Sequence, residues 1–170
     1  EIKIKNLDDY ISMFIKDQPR VIFDVNERWK IAACRTPTFG FKQVSFVNGI
    51  NTSRGGKHVE YITKQICSEM IKYILKKKKV TVKENVIKEN IMVFVISTIV
   101  NPSFDSQTKD TLTTVKSKFG SECQIPIKFV ENLGNFGVID NAIELSNFQN
   151  KQLLSKTDGR KSIKILDIEK

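Results

Sequence analysis

Two hydrophobic periods alternate along the chain. Ile91-Met-Val-Phe-Val-Ile-Ser-Thr-Ile-Val100 is apolar on nearly every residue and rich in β-branched types. Such a run predicts a strand buried on both faces. It stops at Asn101-Pro102, where proline cannot donate to a sheet ladder. Val21–Val25 and Arg28–Arg35 read as two strands joined by the tight polar link Asn26-Glu27. In the second, Trp29, Ile31 and Ala33 share one face, and Lys30, Ala32 and Cys34 share the other. Thr36–Gly40 is a turn, and Phe41–Val47 is the next strand. Three consecutive strands with short links predict an antiparallel meander. Glu1–Lys5 alternates as well and reads as a short strand.

Elsewhere the period is helical. Asn6 is placed to cap a helix through Ile15, with Asp8 and Asp9 in the first turn where the dipole favours them, and Pro19 at or just past its end. Val59, Ile62, Ile66, Met70, Tyr73 and Ile74 recur at three and four residues, which predicts a helix from about Lys57 to Lys77 with one apolar stripe. Lys83–Glu89 is a short helical or turn segment, and Lys116–Gln124 is polar and irregular. Pro126 stands at a favoured first helical position for a short helix stopped by Gly134. A second helix is predicted over Phe136–Leu154 and is broken by Thr157-Asp-Gly-Arg-Lys161. The last residues, Ser162–Lys170, read as a linker.

The resulting fold class is α+β, a mostly antiparallel sheet with helices packed on one face. A strand–long helix–buried strand unit occupies Phe41 to Val100. At 170 residues, 40% of them hydrophobic and eleven of them Phe, the chain fits one folded domain. Its first residue is Glu, so a piece of a longer protein is expected. No apolar run reaches the length of a membrane span, and no signal peptide is visible. The formal charge of +9 favours an anionic partner such as nucleic acid. Cys34, Cys67 and Cys123 form no Cys-x-x-Cys pair, which argues for reduced thiols over a zinc site or a disulfide framework. His58, the only histidine, has no second His or paired Cys at metal spacing, and is expected to be structural.

Three segments carry candidate chemistry. Beyond the buried strand comes the polar loop Asn101-Pro-Ser-Phe-Asp-Ser-Gln-Thr-Lys109. Gln107 offers an oriented NH₂ and Lys109 a point charge on a long stem, which suits an anion presented to a rigid strand end. A solvated loop after a core strand is the competing reading. Gly55-Gly56 at a helix start could bring N–H groups to a phosphate, but lacks Walker or Rossmann spacing; an unusual backbone turn packed under the sheet is preferred. Lys76, Lys77, Lys78 and Lys79 end the long helix. Four consecutive cations exceed what a helix dipole needs, and make a candidate contact to a phosphate backbone. No aromatics are interleaved, so any DNA binding there would carry no sequence preference.

The wording of three blocks resembles eukaryotic-type DNA topoisomerase II: Gln43–Tyr61 with its Asn-Thr-Ser-Arg-Gly-Gly-Lys-His core, Ile99–Lys109 with Asn-Pro-Ser-Phe-Asp-Ser-Gln-Thr-Lys, and Phe119-Gly-Ser-Glu-Cys-Gln124. Their order and spacing also agree. The resemblance is to the transducer domain of the ATPase region and covers residues 1–160, with 161–170 as a linker toward the DNA-cleavage core. It implies a fold like ribosomal protein S5 domain 2. It implies that ATP and Mg²⁺ are held by an upstream GHKL domain, that Lys109 contacts the γ-phosphate and that Gln107 supports it. Thr108 would shape the loop. It further implies DNA contact by Lys76–Lys79, a homodimer in the full-length enzyme, a nuclear location, and a role in coupling ATP hydrolysis to strand passage. No Toprim acidic motif is present, and Tyr10, Tyr61 and Tyr73 do not follow arginine as a strand-cleaving tyrosine would. The piece alone is expected neither to hydrolyse ATP nor to cut DNA. Two other readings stay open: the transducer of a mismatch-repair GHKL ATPase, and a non-enzymatic basic nucleic-acid-binding domain.

Overall fold

In a computed structural model the backbone is described for residues 4–166 and side chains for 4–155. The chain opens with helix α1 (Leu7–Ile15), capped as expected by Asn6, whose Oδ1 accepts from Asp9 N at 2.8 Å. Strands β1 (Arg20–Asn26) and β2 (Trp29–Arg35) follow as an antiparallel hairpin. Asn26 Oδ1 accepts from Arg28 N at 2.8 Å and tightens the turn. Next come β3 (Lys42–Val47) and the two-residue strands β4 (Ile50–Asn51) and β5 (Gly55–Gly56). Helix α2 (Lys57–Lys78) is the longest regular element before the C-terminal helix, and α3 (Glu84–Lys88) is a single short turn. Strand β6 (Ile91–Ser97) leads to the candidate loop, which returns through β7 (Thr111–Leu112). Helix α4 (Ile127–Leu133) and helix α5 (Ile139–Leu166) close the fold, joined by a π-type turn.

The main sheet runs β1-β2-β6-β3-β4. This corrects the predicted meander. Strand β6 inserts between β2 and β3, antiparallel to the first and parallel to the second. A strand apolar on both faces belongs in the centre of a sheet, and an α-helical crossover returns the chain parallel to the strand it left. The Thr36–Gly40 turn therefore carries the chain past β6 rather than folding it back. Thr36 N and Gly40 N donate to the carbonyls of Asn90 and Glu89, at 2.9 and 3.1 Å, just before β6 begins.

The alternation read along β2 sorts its two faces correctly. Trp29, Ile31 and Ala33 join the principal core with the α2 stripe, β6, α4 and the start of α5. Ala32 and Cys34 join Met92 and Phe94 on the opposite face, where α1 lays down Ile11 and Ile15. Most of the helical layer thus lies on one face, and one short helix covers the other.

Smaller differences occur at the ends. Ile4 and Lys5 lie outside any strand, and the rest of the expected N-terminal strand falls outside the described residues. Pro126 is the residue before α4 rather than its first helical one, with extended φ and ψ. Phe136 and Gly137 take non-helical angles, so α5 begins at Ile139. The helix then runs on through 157–161, where a break was expected. No described helix is long and apolar enough to cross a membrane.

Candidate functional site

The loop after β6 is held at both ends by the segment between β3 and α2. At its upstream end, Asn48 brackets Ile99: Asn48 Nδ2 donates to Ile99 O at 3.0 Å, and Ile99 N donates to Asn48 Oδ1 at 2.9 Å. Asn48 N also donates to Ser97 O at 3.0 Å. At the downstream end, β5 and β7 pair in parallel through Gly55–Thr111 and Gly56–Leu112. Arg54 N donates to Asp110 O at 3.0 Å, and Ser53 Oγ to Asp110 Oδ1 at 2.7 Å. Across the loop, Asp105 N donates to Thr111 O and Thr111 N to Asp105 Oδ1, each at 3.2 Å.

Gln107, Thr108 and Lys109 project from this frame and are exposed. Lys109 takes a left-handed φ of 60°, and its N–H closes a tight turn onto Ser106 O at 3.1 Å. Its ammonium lies 5.9 Å from the centre of the Phe104 ring and belongs to no ion pair among the described residues. The structure therefore brings Gln107 and Lys109 together on one solvent-facing tip. Asp110, next in sequence, spends its carboxylate on hydroxyl donors, Thr108 Oγ1 and Ser53 Oγ. Those two hydrogen bonds, Thr108's the larger effect, lower its pKa below the usual value.

The segment that grips the loop is itself seated on buried polar contacts. Thr52 and His58 are fully buried. Thr52 Oγ1 meets Ser45 Oγ at 2.5 Å and His58 Nε2 at 3.2 Å. Gln43 Nε2 donates to the carbonyls of Thr52 and Ser53. Burial lowers the His58 pKa to about 4, so the ring is neutral. His58 Nδ1 has no partner, and the ring stands in the core as the sequence reading expected of a structural histidine.

The glycine pair serves packing rather than anion capture. Gly55 N donates to Thr52 O at 2.9 Å, and a Cβ on Gly56 would stand 2.5 Å from Leu112 N. Close backbone approach is what selects glycine here. Lys76–Lys79 are exposed and pair with no carboxylate among the described residues, while Lys79 caps α2 in the left-handed conformation. They are not part of the loop site. A helix of 22 residues separates the glycine turn from the lysine run by about 33 Å. Among the described residues no group of three or more His, Cys, Asp or Glu is placed to hold a metal.

Sequence reading missed Asn48, Ser53 and Asp110, although each lies inside or beside a block already singled out. A polar residue at a strand end, or following a positive charge, gives no sign of its distant partner; the order of the blocks was the available signal.

Comparison with known proteins gives the family. The DNA gyrase B family model matches residues 5–160. A DNA topoisomerase 2 of Pisum sativum is 41% identical over 95% of this chain, which spans 12% of that relative's length. The ATPase region of Saccharomyces cerevisiae topoisomerase II superposes with a TM-score of 0.77 at 37% identity, covering 86% of this chain and 38% of that structure. The ATPase and transducer domains of DNA topoisomerase II from Balamuthia mandrillaris give a TM-score of 0.80 at 32% identity, over 87% of this chain and 38% of that one. The α+β fold, the order of its motif blocks and this similarity along nearly the whole length agree: the chain belongs to the DNA gyrase B family and shares the fold of topoisomerase II ATPase regions.

Proposed function

We propose that the chain is the transducer part of an ATP-dependent type II DNA topoisomerase, in which Lys109 and Gln107 sense the terminal phosphate of ATP. One observation carries this reading. An amide and an ammonium that forms no ion pair among the described residues stand exposed on a loop tip whose two ends are tied to the core. A cation without a partner keeps its full attraction for an anion, and a tethered loop aims it without a large ordering cost. The donor set fits a phosphoryl group: a point charge from Lys109 and an oriented NH₂ from Gln107.

ATP and Mg²⁺ would be held by a nucleotide-binding domain upstream in a longer chain, with this chain reaching across to the γ-phosphate. ATP would supply the phosphoryl group whose transfer to water drives the cycle. Lys109 would stabilise the negative charge on its terminal oxygens, and Gln107 would fix the approach. Losing that contact after hydrolysis would free the two domains to move relative to each other. In a homodimer acting on nuclear DNA, that motion would couple nucleotide state to strand passage by the downstream cleavage core. Lys76–Lys79 would contact the DNA backbone without reading sequence.

The test is steady-state ATPase activity of the longer chain, upstream domain included. Lys109→Ala is expected to lower kcat by about two to three orders of magnitude while nucleotide affinity changes by only a few fold. Wild-type turnover in that variant overturns the reading.

A further inference from the structure

We propose that Asp110, anchored by Ser53, is a positioning residue that holds the Gln107–Lys109 tip in its working geometry and keeps Lys109 unpaired. The inference rests on the phosphate-sensing reading of that tip and adds to it the device that sets the tip.

The tip needs an external hold. Lys109 sits in the left-handed region, which a non-glycine residue adopts at a cost, and Gln107 and Thr108 before it are solvent-exposed. Within the tip, Lys109 N–H bonds to Ser106 O and Ser106 Oγ lies 2.8 Å from Thr108 Oγ1. These contacts close the turn on itself and do not aim it. The backbone bond from Arg54 N to Asp110 O fixes the base of the tip, and the side-chain hold on its middle comes from the carboxylate of Asp110. One of its oxygens accepts from Thr108, the residue between Gln107 and Lys109; the other accepts from Ser53 on the glycine turn. One side chain therefore joins the middle of the tip to a different part of the fold. Ser53 is a firm anchor because Thr52, beside it, is buried against Ser45 and His58, and because Gln43 holds the Ser53 carbonyl at 3.0 Å.

The same contacts settle an electrostatic conflict. A carboxylate next to a lysine in sequence is a ready partner for it, and pairing would cancel the charge that an incoming phosphate must meet. Two hydroxyl donors occupy the Asp110 oxygens, and Lys109 instead lies over the Phe104 ring. The lowered pKa of Asp110 agrees with a carboxylate kept ionised by those donors, with Arg54 adding a smaller favourable charge.

The experiment uses the longer chain with its upstream nucleotide-binding domain and compares Ser53→Ala, Asp110→Ala, their double variant, Ser53→Thr and Lys109→Ala. Ser53→Ala and Asp110→Ala are each expected to lower kcat by about ten- to a hundredfold with KM for ATP nearly unchanged, as a misplaced but intact cation would. The double variant falls no further than the worse single one, because the two residues act as one unit. Ser53→Thr keeps the hydroxyl and retains turnover. Ser53 is exposed, so its truncation tests the hold even if Asp110→Ala fails to fold. Wild-type kcat in Ser53→Ala beside a lowered kcat in Lys109→Ala overturns the positioning role alone. Wild-type kcat in Lys109→Ala overturns the phosphate-sensing reading beneath it. Losses that multiply in the double variant overturn the single-unit hold.

Discussion

A buried neutral histidine makes stability depend on pH in a fixed direction. The His58 pKa falls from 6.5 to about 4 because the ring is desolvated. Between those two values the unfolded chain takes up a proton that the folded chain excludes. The contribution is therefore complete above about pH 6.5 and is lost as pH falls toward 4, amounting to about 3 kcal/mol across the window. Urea unfolding at pH 7 and near pH 4 should show wild type losing that much more stability than His58→Gln; parallel losses would show that the ring is accessible to protons. A second residue-scale prediction concerns glycines. Gly40 and Gly56 both have positive φ, at 102° and 130°, but only Gly56 faces the Leu112 backbone. Gly56→Ala should cost at least about 2 kcal/mol, and clearly more than Gly40→Ala, because it adds a backbone clash to the same conformational strain. Equal urea midpoints for the two variants would mean that β5 and β7 separate cheaply. At this scale much of the proposed site was legible: Gln107 and Lys109 announce themselves by donor type and by their place after an apolar run. Ser53, Asp110 and Asn48 do not, because their roles depend on partners about fifty residues away.

Among the elements, the strands and helices with a single clear period were predicted close to their observed bounds, and so was the β1–β2 hairpin, but the place of β3 was not. Chain order favoured β2 beside β3, yet β6 takes that place. The information was present in the composition of Ile91–Ser97: a strand with no polar face has nowhere to sit but the interior of a sheet. Local links alone gave the meander; the demand of the apolar strand overrode them. Helix α2 was read nearly to the residue because its stripe, Val59, Ile62, Ile66, Met70 and Ile74, is buried throughout. Its lysine end has a different logic, since nothing in the fold requires four exposed cations. If they neutralise DNA phosphates, replacing Lys76–Lys79 by glutamine should reduce the slope of log K against log salt by about three to four for duplex DNA. The loss should be the same for unrelated sequences, as expected of backbone contacts. An unchanged salt slope, measured by fluorescence anisotropy on two unrelated duplexes, would remove the lysine run from the DNA interface.

The whole molecule is two cores of unequal size on either side of one sheet, and this asymmetry predicts the order in which it opens. The larger core gathers distant segments around Trp29. Its Nε1 donates to Ser121 Oγ at 2.7 Å, its ring lies 5.7 Å from Phe119 and 5.9 Å from Tyr61, and Tyr61 donates its hydroxyl to Cys123 O at 2.7 Å. The hairpin, α2 and the segment after the loop thus share one packing unit, and none can leave it without exposing the others. Among the described residues, the smaller core is covered by α1, through Ile11, Ile15 and the partly buried Leu7 over Ala32, Cys34, Met92 and Phe94. Local opening follows the least buried apolar area, so α1 should detach before the sheet dissolves. The three cysteines report on this directly. Burial raises the thiols of Cys34, Cys67 and Cys123 to about 11, 12 and 12, so each reacts slowly while folded. Cys34 lies under α1, whereas Cys67 and Cys123 belong to the larger core. In pulse labelling with a small thiol reagent at rising urea, Cys34 should be modified at concentrations where Trp29 fluorescence is still native. Cys67 and Cys123 should be modified together with the fluorescence change. Labelling of all three thiols in a single step with Trp29 would show that α1 is bound as firmly as the principal core, and that the domain opens only as a whole.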